Sequence, residues 1–268
     1  MREVVSAASY ASTVGVMTFR KTDHHKNAIN YEVAGLAWLA AAQPAGAAIV
    51  NVIDHGTGWL TEPELSTVRP TRDAAEEFGR RLAHTHAAGA SHLGAAPDGF
   101  TPDGGYIGRA PLPLPSEPVS SWGEFYAQYR IEPYMDSLDA DARAIMSRLV
   151  DRLASGALDH DEPALVTDPA ARIHGDLWAG NLMWTASGVV LIDPAAQGGH
   201  AEEDLAALSV FGAPFADTIR AAYNEESPLS DGWQDRIGLH QLHMLIVHCW
   251  LFGGGYVDQT LTIARQWM

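Results

Sequence analysis

The sequence predicts an α+β fold of two unequal lobes, a small antiparallel sheet carrying one helix, followed by a larger and mainly helical body. Three observations predict it. The first 65 residues read as strand, helix, strand, strand. From Thr71 onward the apolar spacing is helical in one segment after another. Within the second half, a run dense in Asp, Asn and Gly sits beside a short apolar strand, the pattern of a functional loop on a rigid scaffold.

Val16 to Lys21 is a run of β-branched and aromatic residues ending in Arg-Lys, and reads as a strand. Asn30 is the expected cap of the helix that follows, in which Glu32, Leu36 and Leu39 recur at helical spacing. Ala47–Asp54 is the second strand and Gly58–Glu62 the third, interrupted by Pro63. The lobes join near Glu62–Leu65, so residues 1–65 form the small lobe and residues 66–268 the helical one. Helices are expected over Thr71–Ala88, Trp122–Arg130, Ala140–Ser155, Glu203–Val210, Pro214–Tyr223 and Asp231–Phe252. Ala95–Val119 is rich in Pro and Gly. It is expected to run over the surface, a substrate-facing loop being the alternative.

Composition narrows the function classes. The chain has 17 Lys and Arg against 33 Asp and Glu, a formal charge of −16, which argues against a nucleic-acid partner. Such a surface suits amine-bearing substrates, and equally suits plain solubility. Cys249 is the sole cysteine, so neither an intramolecular disulfide nor a cysteine-based zinc site is available, and a reducing cytoplasm is the expected compartment. The apolar stretches near Ala34–Ala42 and Leu245–Phe252 fall short of the ~20 residues that span a bilayer. No membrane partner is expected.

The run from His174 to Asn181 carries the chemistry. Asp176 and Asn181 are spaced Asp-x-x-x-x-Asn, and the strand Val189–Ile192 delivers Asp193 at its end. Phosphoryl transfer from ATP requires one carboxylate to orient an acceptor hydroxyl and take its proton. It also requires an amide and a second carboxylate to hold Mg2+ against the triphosphate. Lys21, at the end of a strand, and Glu32, on the next helix, can pair so that the ammonium meets the α- and β-phosphates. His240, His243 and His248 fall along one helix and His84 and His86 along another. Their spacing does not promise the convergence a metal needs, so they read as ordinary amphipathic-helix residues. Tryptophans such as Trp38, Trp122 and Trp250 read as packing residues, and Cys249 as a small buried hydrophobe.

The run His-Gly-Asp-x-x-x-x-Asn, then a strand and Asp, resembles the aminoglycoside phosphotransferase-like kinases, which implies the two-lobed protein-kinase-like fold. Asp-Leu-Trp-Ala-Gly-Asn (176–181), Ile192-Asp193-Pro194 through Gly199-His200, Glu202-x-Asp204-Leu205-Ala206 and Leu251-Phe252-Gly253 through Tyr256 narrow it. Together they resemble the fructosamine (ketosamine) kinase family. The resemblance implies Asp176 as catalytic base, Asn181 and Asp193 as magnesium ligands, and Lys21 with Glu32 as the phosphate-orienting pair. It places the adenine-binding hinge at Thr61–Leu65, with Glu62 and Leu65 as nucleotide contacts, and sets Trp178 and His200 at or just behind the acceptor sugar. Trp178 reads equally well as packing under the loop. Asp204 is expected to accept backbone N–H groups and brace the catalytic loop.

ATP and Mg2+ are the implied cofactors, and a free ketosamine or a glycated protein lysine the implied acceptor, with deglycation as the outcome. Rival acceptors are aminoglycosides and amino alcohols; a rival of another class is a pseudokinase that binds without turnover. Two departures from the family stand out: Ala201 occupies a position usually basic, and Ser6–Thr13 holds no glycine for a phosphate-covering turn. Gly15 fits a hairpin turn better, and the small lobe is expected to be shortened at its start, lacking its first strand.

Overall fold

The structure, a computed structural model, describes residues 9–13, 16–23, 25–100 and 104–268. The N-terminal sheet is built on β2 (Val16–Thr22), which pairs antiparallel with β1 (Ser9–Thr13) on one side and β5 (Trp59–Pro63) on the other. A short β4 (Asp54–Gly56) completes the order β1-β2-β5-β4. Among the described residues one strand therefore precedes Val16. The expected missing strand and the Gly15 turn fall at residues 1–8 and 14–15, outside the described residues. Pro63 does not interrupt β5; it forms the last pair, opposite Thr18, where a missing N–H disturbs the ladder least.

Helix α1 (Lys26–Ala40) starts earlier than the Asn30 cap predicts. The Asp23 carboxylate accepts the His25 N–H at 2.7 Å, turning the chain into the helix, and Asn30 is left exposed inside it. Ile29, Leu36 and Leu39 are buried along its inner face. The single strand expected at Ala47–Asp54 is split. Its first half, β3 (Ala48–Ile49), pairs parallel with β10 (Gly188–Leu191), and Val50 N–H donates to Leu191 O at 2.9 Å. Burying Ala47, Ile49 and Val50 in the central core outweighs extending the N-terminal sheet. A piece of the small lobe's sequence is thereby sewn to the hairpin that carries Asp193.

The helical body contains α2 (Arg72–Ala87), whose cap Thr71 accepts the Ala74 N–H at 3.3 Å, and α4 (Ala140–Ala154), capped by Asp139 at 2.8 Å. Between them α3 (Trp122–Phe125) widens into a π-turn over Tyr126–Ile131 and then a 3-10 turn, where one α-helix to Arg130 was expected. The π-turn has an identifiable reason. It turns Tyr126 inward, where its hydroxyl donates to Leu239 O (3.1 Å) and accepts the His243 N–H (3.0 Å). Farther along the chain come α5 (Ala201–Val210), α6 (Ala216–Glu226), α7 (Trp233–Phe252) and α8 (Val257–Ala264). Helix α8 escaped the sequence reading because Gly253–Gly255 looks like a terminus; Thr260, Leu261 and Ala264 bury it against the body.

The Pro- and Gly-rich segment runs over the surface only in part, as at Asp98, Gly99 and Ser116 to Pro118. It forms a hairpin of β6 (Gly105–Ile107) and β7 (Ala110–Leu112), with Ile107, Ala110 and Leu112 buried. Gly105 lies against the Tyr31 ring, where a Cβ would approach to 2.7 Å, and Tyr31 donates to Ala196 O at 2.7 Å. The segment is a wedge that ties α1 to the region just past Asp193.

Candidate active site

Strand β8 (Ala171–Ile173) leads into the loop His174-Gly175-Asp176, a 3-10 turn at Ala179–Asn181, and the hairpin of β9 (Leu182–Thr185) and β10. Past Asp193, β11 (Gln197–Gly199) returns to pair with β8. The loop that leaves β8 thus meets the loop that runs from β10 into β11, the partner of β8. His174 Nε2 lies 3.0 Å from Ile192 O, and Ala195 N–H donates to His174 O at 2.9 Å. Gly175 has φ +77°, and a Cβ there would stand 2.2 Å from Ala195 O, so only glycine permits this approach. Asp193 itself adopts φ +53°, a strained conformation for a residue with a side chain.

Asp204, in the first turn of α5, accepts the N–H groups of His174 (2.7 Å) and Gly175 (2.9 Å), the bracing expected of it. Its carboxylate is held in turn by His86 Nε2 at 3.2 Å, and His86 Nδ1 meets the Tyr223 hydroxyl at 3.0 Å. Asp204 and His86 are both buried. The role of His86 was missed, although its spacing from Phe78 and Leu82 sets it on the inner face of α2.

The residues predicted to act together do converge. Lys21 Nζ is 2.7 Å from Glu32 Oε2 and 3.3 Å from Asp193 Oδ1. Asn181 Nδ2 donates to Asp176 O at 2.8 Å and to Asp176 Oδ2 at 3.0 Å, so Oδ1 is the atom of this side chain that could meet a cation. Burial works to lower the Lys21 pKa, but Glu32 and Asp193 outweigh it and keep the ammonium charged well past neutrality. Burial pushes Asp176 up to about 7; the Asn181 amide opposes this and the charge of Asp193 adds to it. The donor set suits Mg2+, a hard cation, because Asp193 offers a part-exposed carboxylate and Asn181 a neutral oxygen.

A cleft between the sheet and the β9–β10 hairpin is lined by Phe19 of the sheet, by Val50, Met183 and Ile192 across from it, and by the connection Glu62–Leu65. Flat apolar walls closed by a backbone segment fit adenine. Glu64 N–H donates to Met17 O at 2.9 Å, which fixes the start of that connection. The Glu62 side chain points inward and its charge supports the Lys21 ammonium, while Leu65 forms the cleft wall.

Trp178 is half-buried, lying over Gly180 and meeting Phe211 edge-on at 5.6 Å between ring centroids. Phe211 continues to His248 (4.8 Å) and on to Tyr256, an aromatic wall that the sequence reading did not assemble. His200, expected at or just behind the acceptor sugar, is too buried to face the acceptor directly. It is 2% exposed and caps α5: its Nδ1 accepts the Glu202 N–H at 3.2 Å while its own backbone N–H donates to Glu203 Oε1 at 3.0 Å. Ala201 is buried in the same turn, its N–H on Glu162 Oε2 at 3.0 Å.

Comparison with known proteins agrees with this geometry. A family model described as fructosamine kinase matches residues 5–268. Mouse ketosamine-3-kinase is 35% identical over 161 residues, covering 58% of this chain and 50% of its own length, so the match spans half of that relative. Among solved structures, a Thermobifida fusca protein assigned as a fructosamine-3-kinase is 37% identical with a TM-score of 0.82, over 97% of this chain and 92% of its own. A thermostable mutant of aminoglycoside phosphotransferase APH(4)-Ia, 16% identical, superposes with a TM-score of 0.64 over 99% of this chain and 92% of its own, a likeness of fold alone. No described helix is long and apolar enough to cross a membrane. With a protein-kinase-like fold, a site of this composition and a family match along nearly its whole length, the chain belongs to the fructosamine kinase family.

Proposed function

We propose that this protein transfers the γ-phosphoryl group of ATP to a sugar hydroxyl of a ketosamine, either free or carried on a protein lysine. Membership of the fructosamine kinase family makes it an ATP-dependent phosphotransferase with an alcohol acceptor. The observation that carries the reading is the convergence of Asp176, Asn181, Asp193, Lys21 and Glu32 at the mouth of one cleft. The mouse relative, a ketosamine-3-kinase, supports the acceptor class.

Each residue has a role in this reading. Residues 1–65 and 66–268 form the two lobes, and adenine enters the cleft between Phe19 and Met183, against Glu62–Leu65. Glu32 aims the Lys21 ammonium at the α- and β-phosphates. Asp193 and Asn181 Oδ1 would hold magnesium, which neutralises charge on the phosphates. Asp176 accepts the proton of the attacking hydroxyl and aligns its oxygen with phosphorus. Its raised pKa leaves it a stronger base than an exposed aspartate. Trp178 lies at the acceptor side of the loop, its ring supported by Phe211. Phosphorylation beside the ketone of a ketosamine makes the adduct prone to eliminate and free the amine, a repair function suited to the cytoplasm.

The test is ADP release with Mg-ATP and a panel of fructosamines, ribulosamines, aminoglycosides and amino alcohols. Turnover confined to the first two supports the reading. Best turnover on an aminoglycoside or amino alcohol replaces the acceptor, and nucleotide binding with no ADP from any compound makes the protein a pseudokinase.

A further inference from the structure

Around the start of α5 the fold gathers three histidines and a glutamate from distant parts of the chain. One ligand atom from each of His160, His200, Glu202 and His240 can be chosen so that all four lie within 4.8 Å of one another. His200 and Glu202 come from the start of α5, His240 from the middle of α7, and His160 from the loop after α4. The side chains of His160 and Glu202 are 7% and 5% exposed, and that of His240 is fully buried. From these positions we infer a second metal site, a closed centre of three imidazoles and one carboxylate for a zinc-class divalent cation. It is separate from the magnesium site of the proposed kinase reaction and independent of that reading.

The hydrogen bonds around the group support a metal in particular. His160 Nδ1 donates to Leu158 O at 2.8 Å, so the proton is on Nδ1 and the Nε2 lone pair faces inward. That Nε2 lies 2.9 Å from His240 Nε2, and Glu202 Oε2 lies 3.3 Å from the same nitrogen and 3.7 Å from His160 Nε2. Ligands bound to tetrahedral zinc at about 2.0–2.1 Å sit about 3.3 Å apart, so the His160–His240 pair would open slightly while the wider separations, which reach up to 4.8 Å, would close. His200 Nε2 is buried with no hydrogen-bond partner among the described residues, an orphan a metal would satisfy. For Nε2 to ligate, the proton moves to Nδ1, which exchanges the Glu202 N–H it now accepts for Glu162 Oε2, 3.8 Å away. Closing that gap to hydrogen-bond distance would give the carboxylate–histidine–metal arrangement that orients a ligand from behind. Arg236 grips Glu202 with Nη2 on Oε1 (2.6 Å) and Nε on Oε2 (3.0 Å), fixing the carboxylate while a lone pair of Oε2 stays available. Trp122 packs over the group, its ring centroid 4.6 Å from that of His160 and 4.8 Å from that of His240. With four protein ligands and this cover the centre is structural, with no position for a reacting water.

The site would staple α5 to α7 and to the loop after α4. Helix α5 also carries Asp204, two residues beyond Glu202, which holds the backbone of His174 and Gly175. The ion would therefore act as a positioning element for the catalytic loop, without touching substrate. The alternative is a metal-free group in which His240 Nε2–H simply donates to His160 Nε2.

The experiment is elemental analysis of the untagged full chain, with Co2+ reconstitution and melting curves. About one zinc per chain is expected, retained on dialysis. Protein unfolded in chelator and refolded with Co2+ should show the intense visible bands of a tetrahedral site, and Zn2+ should raise its melting temperature over the metal-free refolded form. H160Q and H240Q should lose the ion and the Zn2+-dependent rise, while D193A keeps both, which separates this centre from the nucleotide site. The inference is overturned if the wild type holds less than about a tenth of a transition-metal ion per chain and refolded protein neither colours with Co2+ nor gains stability with Zn2+. Full zinc retention in both histidine variants would overturn it as well. If the variants do not fold, the wild-type Co2+ spectrum alone decides.

Discussion

Replacing Asp176 by Asn separates two consequences of the same part-buried carboxylate. The substitution keeps the shape, and the new side-chain amide oxygen can still accept the Asn181 Nδ2–H now given to Asp176 Oδ2 at 3.0 Å. It removes the proton acceptor, so kcat on the best ketosamine should fall by roughly 10²–10⁴ while KM for ATP stays near its original value. Stability should move the other way. The folded-state pKa is about 7 against a reference of 3.8, so between those values the folded protein holds a proton that the unfolded chain has released. Stability is therefore lost as pH rises from about 4 to 7, and stays lost above. The full shift corresponds to about 4 kcal/mol, but Asp176 is part-exposed in the cleft and water screens it, so roughly 1–2 kcal/mol is realistic. At about 2–4 °C per kcal/mol for a chain of this size, the variant should melt a few degrees above the wild type at pH 8. At pH 4 it should show little difference. Melting curves at the two pH values and steady-state ADP release make the test. Near-normal kcat would refute the assignment of the base, and a melting difference that does not grow with pH would refute the buried-carboxylate argument. The same pKa predicts a kcat/KM that rises with pH through about 7 in the wild type, and loses that limb in the variant.

Three further outcomes are expected. Asp193→Ala should abolish magnesium-dependent turnover, and Asn181→Ala should reduce it less, because a neutral amide is the weaker ligand for a hard cation; activity retained by the Asp193 variant at ordinary magnesium would remove that residue from the site. Lys21→Met removes the cation from between Glu32 and Asp193, and should weaken ATP binding by about 10- to 100-fold, the worth of one charge-assisted hydrogen bond, as read by calorimetry; unchanged affinity would contradict the assigned role. Gly175→Ala forces a Cβ to within 2.2 Å of Ala195 O at φ +77°, and should cost at least ~2 kcal/mol in denaturant unfolding together with most of the activity; a neutral result would show that the loop can rebuild.

Local chemistry was legible in the chain itself. The Asp176–Asn181 spacing, the strand that presents Asp193, and the helix-start carboxylate Asp204 are short-range patterns, because a tight loop fixes its own residues relative to one another. Lys21 and Glu32 were legible for a similar reason, since a strand end and the next helix offer few ways to pair. Periodicity located most helices of the body, because an amphipathic face is written every three or four residues. The competition between burial sites was decided only in three dimensions. Ala48 and Ile49 left the N-terminal sheet for β10 because the central core offered more burial than the sheet edge. The Pro- and Gly-rich segment became a wedge because Gly105 alone lets backbone lie against Tyr31. His86 took its role from Asp204, 118 residues away, and His160 met His240 across 80. No local pattern records such meetings. A side chain's identity states what it can bond to, but only the packing of distant helices supplies the partner and the low dielectric that give the bond its consequence.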